Sequence, residues 1–109
     1  MANPHKGEVP LEIGGTLYTL RLDFNALCSA EEFSSKRMPA LIEDLQSGSF
    51  AAIRILLLAA ISHQVPDMTL AKAGDLVQEA GPPKVMDALT KALRLAFPDA
   101  DGAVAENPN

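Results

Sequence analysis

At 109 residues, 48% of them hydrophobic, the chain has the size of one domain and enough apolar material to bury a core without crosslinks. Its single cysteine, Cys28, excludes an internal disulfide framework and suits a reducing compartment. The formal net charge of −5 argues against nonspecific nucleic-acid binding, which depends on neutralising phosphates, and leaves folded protein partners as the natural expectation.

The opening, residues 7–22, GEVPLEIGGTLYTLRL, reads as a hairpin. Gly14-Gly15 tolerates the positive φ values of a type I′ turn. The pairing it sets puts Val9, Leu11 and Ile13 on one face with Thr16, Tyr18 and Leu20, and Pro10 and Glu12 on the other, opposite Thr19 and Leu17. A two-stranded hairpin is marginal alone, so its apolar face must pack on helices. This scheme leaves Leu17 exposed, either as an ordinary surface leucine or as part of a second contact surface.

Asp23 is a candidate N-cap for a first helix over residues 24–33, with Phe24, Leu27 and Cys28 on one face. The polar stretch EFSSKRMP leaves the end of that helix open. Pro39 suits the first turn of a second helix with the apolar stripe Leu41, Ile42 and Leu45, which Gly48 terminates. Ser49 then caps the most apolar helix, running to about Gln64, in which Arg54 is the sole charge. Such a pattern belongs to a helix surrounded by others, or to one with a face used by another chain. Thr69 caps a fourth helix over 70–80, with Leu70, Ala73, Leu76 and Val77 inward. Gly81-Pro82-Pro83 separates it from a last helix over 83–97, carrying Val85, Met86, Leu89, Leu93, Ala96 and Phe97. Asp87 and Lys91 make an i,i+4 pair.

The expected fold is therefore α+β, mainly helical: an N-terminal β-hairpin packed on about five short α-helices, in one globular domain over residues 1–97. Residues 1–7 should fray, and 98–109 should form a flexible acidic tail. The strongest apolar run, residues 55–61, falls well short of the ~20 residues that cross a bilayer. No basic segment precedes an apolar run at the start. A soluble, cytoplasmic protein with no membrane partner is expected.

Little here suggests chemistry. His5 lies in the N-terminal segment, and His63, near the end of the central helix, either caps carbonyls or faces solvent. Two histidines and one cysteine so scattered form no zinc pattern. Cys28 reads as a small core residue. Glu31-Glu32 and Glu43-Asp44 are consecutive pairs that diverge around a helix and read as solvated surface. The Gly-Gly pair lacks the continuation of a P-loop or a dinucleotide fingerprint. No catalytic residue, metal site or cofactor is expected. Arg54 either snorkels to the surface or meets a carboxylate at a seam or on a partner.

The run H-K-G-E-V-x-L-x-I-G-G-T-x-Y-T-L-R-L at residues 5–22, followed by Phe24, Ala26, Leu27 and Glu31-Glu32, resembles the opening of the tail assembly chaperone family of gene transfer agents and siphophage-like particles. The likeness continues through residues 41–48 with the LQSGSF ending, the leucine-rich helix at 53–61, the short helix and glycine break at 69–81, and the terminal helix to Phe97. It implies a non-enzymatic protein that engages the tape measure protein, keeps it soluble, helps tail tube protein polymerise around it, and leaves the finished particle. A structural, tube-associated tail protein is the alternative the family leaves open. A tube subunit needs substantial β-sheet, and one hairpin favours the chaperone.

A chaperone of this size must present apolar or mixed surface to a client. The candidate protein-binding residues are Ile53, Leu57 and Ile61 on an exposed part of the central helix, Arg54 beside them, Met86 and Leu89 on the last helix, and Leu17 on the hairpin. The hairpin edge is a second candidate, for strand addition to a client or self-association of two copies.

Overall fold

A computed structural model describes residues 7–97, so the expected fraying of residues 1–6 and the expected acidic tail at 98–109 lie outside the described residues. Strands β1 (Glu8–Ile13) and β2 (Thr16–Arg21) precede helices α1 (Phe24–Ser34), α2 (Met38–Gln46), α3 (Phe50–Ile61), α4 (Leu70–Ala80) and α5 (Pro82–Ala96). This is the expected α+β architecture of a hairpin packed against five helices.

The hairpin forms in the register its alternation dictates. Val9 pairs with Leu20, Leu11 with Tyr18 and Ile13 with Thr16, while Pro10 faces Thr19 and Glu12 faces Leu17. Gly14 and Gly15 have φ of 58° and 83°, the paired positive values that a type I′ turn requires. Val9, Leu11, Ile13 and Leu20 are buried, and the sheet packs on α3, α4 and α5. At its open end Arg21 lies 3.5 Å from Glu8 and 3.4 Å from Asp23, tying both strands to the start of α1.

Helix starts follow the side chains that satisfy their free N–H groups. Asp23 accepts from Ala26 N, Ser49 from Ala52 N and Thr69 from Lys72 N. Helix α2 has no such cap at Arg37. Instead Glu31 reaches across from α1 and accepts from Met38 N at 2.8 Å, placing a carboxylate at a helix N-terminus. The sequence reading had Glu31 as solvated surface, and this interaction corrects it. The polar stretch after Glu31 builds the turn between the two helices: Ser35 is left-handed (φ 58°), Ser34 Oγ donates to Ala30 O and accepts from Lys36 N, and Lys36 pairs with Asp44 at 2.6 Å. Glu31→Ala is expected to cost about 1 kcal/mol, the usual value of a lost cap, measured by urea denaturation. Glu32→Ala, on the exposed neighbour, should cost nothing measurable.

Helix α1 is rotated from its expected orientation. Ala26 and Ala30 are its buried residues, Leu27 and Cys28 are half-buried, and Phe24 is exposed. The small side chains let α1 lie close against α3, which a face led by phenylalanine would prevent.

Helix α3 is the axis of the molecule, packed by α1, α2, α4, α5 and β2. Every residue from Leu56 to Ile61 is buried, so this half is enclosed on all sides. The helix ends at Ile61 rather than near Gln64, because Gln64 and Val65 both donate to Ile61 O and close a turn. In α4, Ala73 and Val77 are buried, with Leu70 and Leu76 half-buried against the core. In α5, Val85, Ala88, Leu89, Ala92 and Leu93 are buried, Met86, Ala96 and Phe97 pack partly against the core, and Lys91 pairs with Asp87 at 3.2 Å. Among the described residues no helix is long and apolar enough to cross a membrane.

Candidate functional site

The proposed binding face on the central helix does not exist as a surface. Ile53, Leu57 and Ile61 are at most 1% exposed, and Leu89 is fully buried. Their i, i+4 spacing reflects inward packing: α3 has neighbours on every side of its second half, and Leu89 of α5 is one of the residues that enclose it. Met86 is half-buried, packed against the core. Leu17 stands 52% exposed on β2, as expected. Arg54 is exposed and has no ion-pair partner among the described residues, so it emerges from the apolar helix at the surface.

The open part of α3 is its first turns. Ser49 caps the helix, and Phe50 and Ala51, at the first two helical positions, are exposed. Phe50 is 73% exposed, and Arg54 lies one turn further along the same side. Opposite them are Gly74 and Val77 of α4. These five residues line a shallow open groove of about 280 Å³. Gly74 forms part of its floor because it has no side chain: a Cβ there would lie 3.3 Å from Arg54 Cδ. The arginine stem thus rests against the Gly74 backbone, while the residue as a whole stays exposed. Of the predicted site residues, only Arg54 lines this groove. Sequence reasoning made Phe50 the first residue of this helix but did not single it out as a site residue, because the residues that follow it are nearly all apolar and give no phase.

The hairpin edges are occupied. On β2, Thr19 N donates to Gln64 Oε1 at 2.7 Å, Thr19 O lies 2.7 Å from His63 Nε2, and Gln64 Nε2 donates to Leu17 O at 3.4 Å. On β1, Pro10 has no N–H to offer, and Lys84 Nζ donates to Glu12 O at 2.6 Å. Side chains from the α3–α4 connection and from α5 therefore take several of the bonds that an added strand would use, a protection that edge strands need. His63 is exposed, as one of its two expected readings has it, and its ring also meets the hairpin backbone. Gln64→Ala is expected to accelerate hydrogen exchange at the Thr19 amide, while the inward-bonded amides of the ladder keep their rates. The cost in stability should be about 1 kcal/mol or less, since the bond is exposed.

Among the described residues, no group of three or more His, Cys, Asp or Glu is placed to hold a metal ion. Cys28 is a free, half-buried thiol on α1, and neither it nor His63 lines the groove. What the groove offers is recognition: an exposed aromatic, an unpaired cation and an apolar floor set on a rigid helix pair. Comparison with known proteins finds no family model, no curated protein and no solved structure that matches the chain.

Proposed function

We propose that this chain is a non-enzymatic tail assembly chaperone of a gene transfer agent or phage-like particle, which binds the tape measure protein and assists polymerisation of the tail tube protein around it. Support comes first from the resemblance carried by residues 5–22, by the LQSGSF ending at 45–50 and by the order of helices after it. The structural observation that supports the reading best is Phe50, a large aromatic left 73% in water beside a groove, on a body whose other helices close tightly around α3. An aromatic and an arginine on a firm scaffold are the materials of a protein-binding surface.

The test is co-expression with the tape measure and tail tube proteins of the same particle, followed by tandem purification and mass-resolved size exclusion. A soluble complex with tape measure protein, together with absence of the chain from purified particles, is the expected result. Stoichiometric retention in mature tails would replace the chaperone with a structural, tube-associated tail protein. Failure to bind tape measure protein would remove the chaperone reading.

A further inference from the structure

We propose that the α3–α4 groove lined by Phe50, Ala51, Arg54, Gly74 and Val77 is the docking site for a helix of a partner protein, one that carries a carboxylate at the edge of its apolar face. The inference deepens the chaperone reading and rests on it for the partner's identity, while the chemistry of the docking helix follows from the groove alone.

Charge gives the first reason. Arg21, Lys36, Lys72 and Lys91 each lie within 4 Å of a carboxylate, in a protein whose net charge is −5. Arg54, like Arg37, has no such neighbour among the described residues, and it differs from Arg37 in lining the groove with its stem against Gly74. A positioned guanidinium above an apolar floor selects a carboxylate, which it can grip with two parallel N–H donors, and repels an ammonium.

The rim supplies the second reason. Phe50 and Arg54 are of residue types enriched at protein interfaces, and here they stand one helical turn apart on the same wall. Covering Phe50 removes a large apolar surface from water, and the open floor beside it accepts apolar side chains at helical spacing.

The secondary structure of the partner follows from what is closed. Strand addition needs a free edge, and the middle of each hairpin edge is already engaged, Thr19 by His63 and Gln64 and Glu12 O by Lys84, with Pro10 offering no donor. A seam between two helices instead seats a third helix, ridge into groove.

Three variants test this with tape measure protein as the probe: Phe50→Ala and Arg54→Glu in the groove, and Phe24→Ala, an exposed phenylalanine outside it. The groove variants change exposed side chains and should keep the circular dichroism spectrum and melting temperature of the parent. Each is expected to weaken binding by about tenfold or more, the effect of losing an interface anchor, whereas Phe24→Ala leaves it unchanged. Equal binding by all four proteins would overturn the groove and leave the chaperone reading standing. If the parent itself fails to bind tape measure protein, that reading falls, and the groove is decided by a second probe. This is a short alanine- and leucine-rich helical peptide with glutamate at the edge of its apolar face, compared with the same peptide carrying lysine there. Amide shifts centred on residues 50–54 and 74–77, seen with the glutamate peptide and abolished by Arg54→Glu, are the expected result. No shifts there, equal shifts with both peptides, or a dimer of the chain that Phe50→Ala dissolves would each overturn the proposal.

Discussion

Leu57→Ala is expected to lower the stability of the fold by about 2–5 kcal/mol, the range for truncating a leucine in an enclosed core. Leu57 is fully buried in the half of α3 where six consecutive residues are buried. The neighbours that enclose it come from several elements and cannot all collapse onto the space left behind. A domain of this size has about 5–15 kcal/mol in total, so this one change removes a large part of it. Ile53→Val, on the same helix, should cost about 0.5–1.5 kcal/mol and keep the series measurable if the alanine variant unfolds too readily. Both costs would be read from urea denaturation with an unchanged m-value. A loss below about 1 kcal/mol for Leu57→Ala would mean that the side chain is less enclosed than the packing indicates. The same experiment separates core from interface: Leu57→Ala should act on stability, and Phe50→Ala on binding.

Gly81→Ala is expected to cost about 1–3 kcal/mol, although the added methyl group touches nothing. Gly81 has φ 95° and ψ 131°, a conformation that residues with a side chain rarely adopt, and no atom lies within 4 Å of where its Cβ would stand. The whole penalty is backbone strain. This residue ends α4 by donating to Val77 O at 2.8 Å, and its own carbonyl accepts from Lys84 N and Val85 N to start α5. Relaxing it to negative φ would turn α5 relative to α4 and disturb Val85 and Leu89, both fully buried. Gly48→Ala gives a useful comparison, since Gly48 also has positive φ (86°) and open space around its Cβ but starts no helix directly. It should cost about 1 kcal/mol. A neutral Gly81→Ala, by thermal or chemical denaturation, would show that the α4–α5 turn tolerates another geometry.

Where local chemistry decides structure, the chain was readable. Alternation by twos around Gly14-Gly15 admits one register, because a slip of one residue would turn Val9, Leu11 and Ile13 to solvent. Asp23, Ser49 and Thr69 each sit one residue before an apolar-periodic run, and each caps it. The misreadings come from contacts that sequence spacing does not carry. The expected face of α1 differs from the buried one, since Phe24, Leu27 and Cys28 outrank Ala26 and Ala30 in hydrophobicity while only the alanines permit close approach to α3. Glu31, His63 and Gln64 act on partners in other elements, the last two more than forty positions away in sequence. For α3, a helix apolar on nearly every side gives no phase, so Ile53, Leu57 and Ile61 could equally have formed core or surface. Phe50 is exposed although Met38 and Leu70, at the same first helical position of α2 and α4, pack against the core, so neither its type nor its place after the cap marks it in the sequence.

The central claim is that partners meet this molecule along the α3–α4 groove and leave the hairpin edges closed. Hydrogen exchange on the full chain, free and bound to tape measure protein, tests it most directly. The account predicts slower exchange in the bound state around residues 50–54 and 74–77, with the Thr19 amide unchanged behind its Gln64 cap. Protection that instead appears along residues 17–21, with the groove unaffected, would mean that the His63–Gln64 latch opens and a strand adds to β2, contradicting the account.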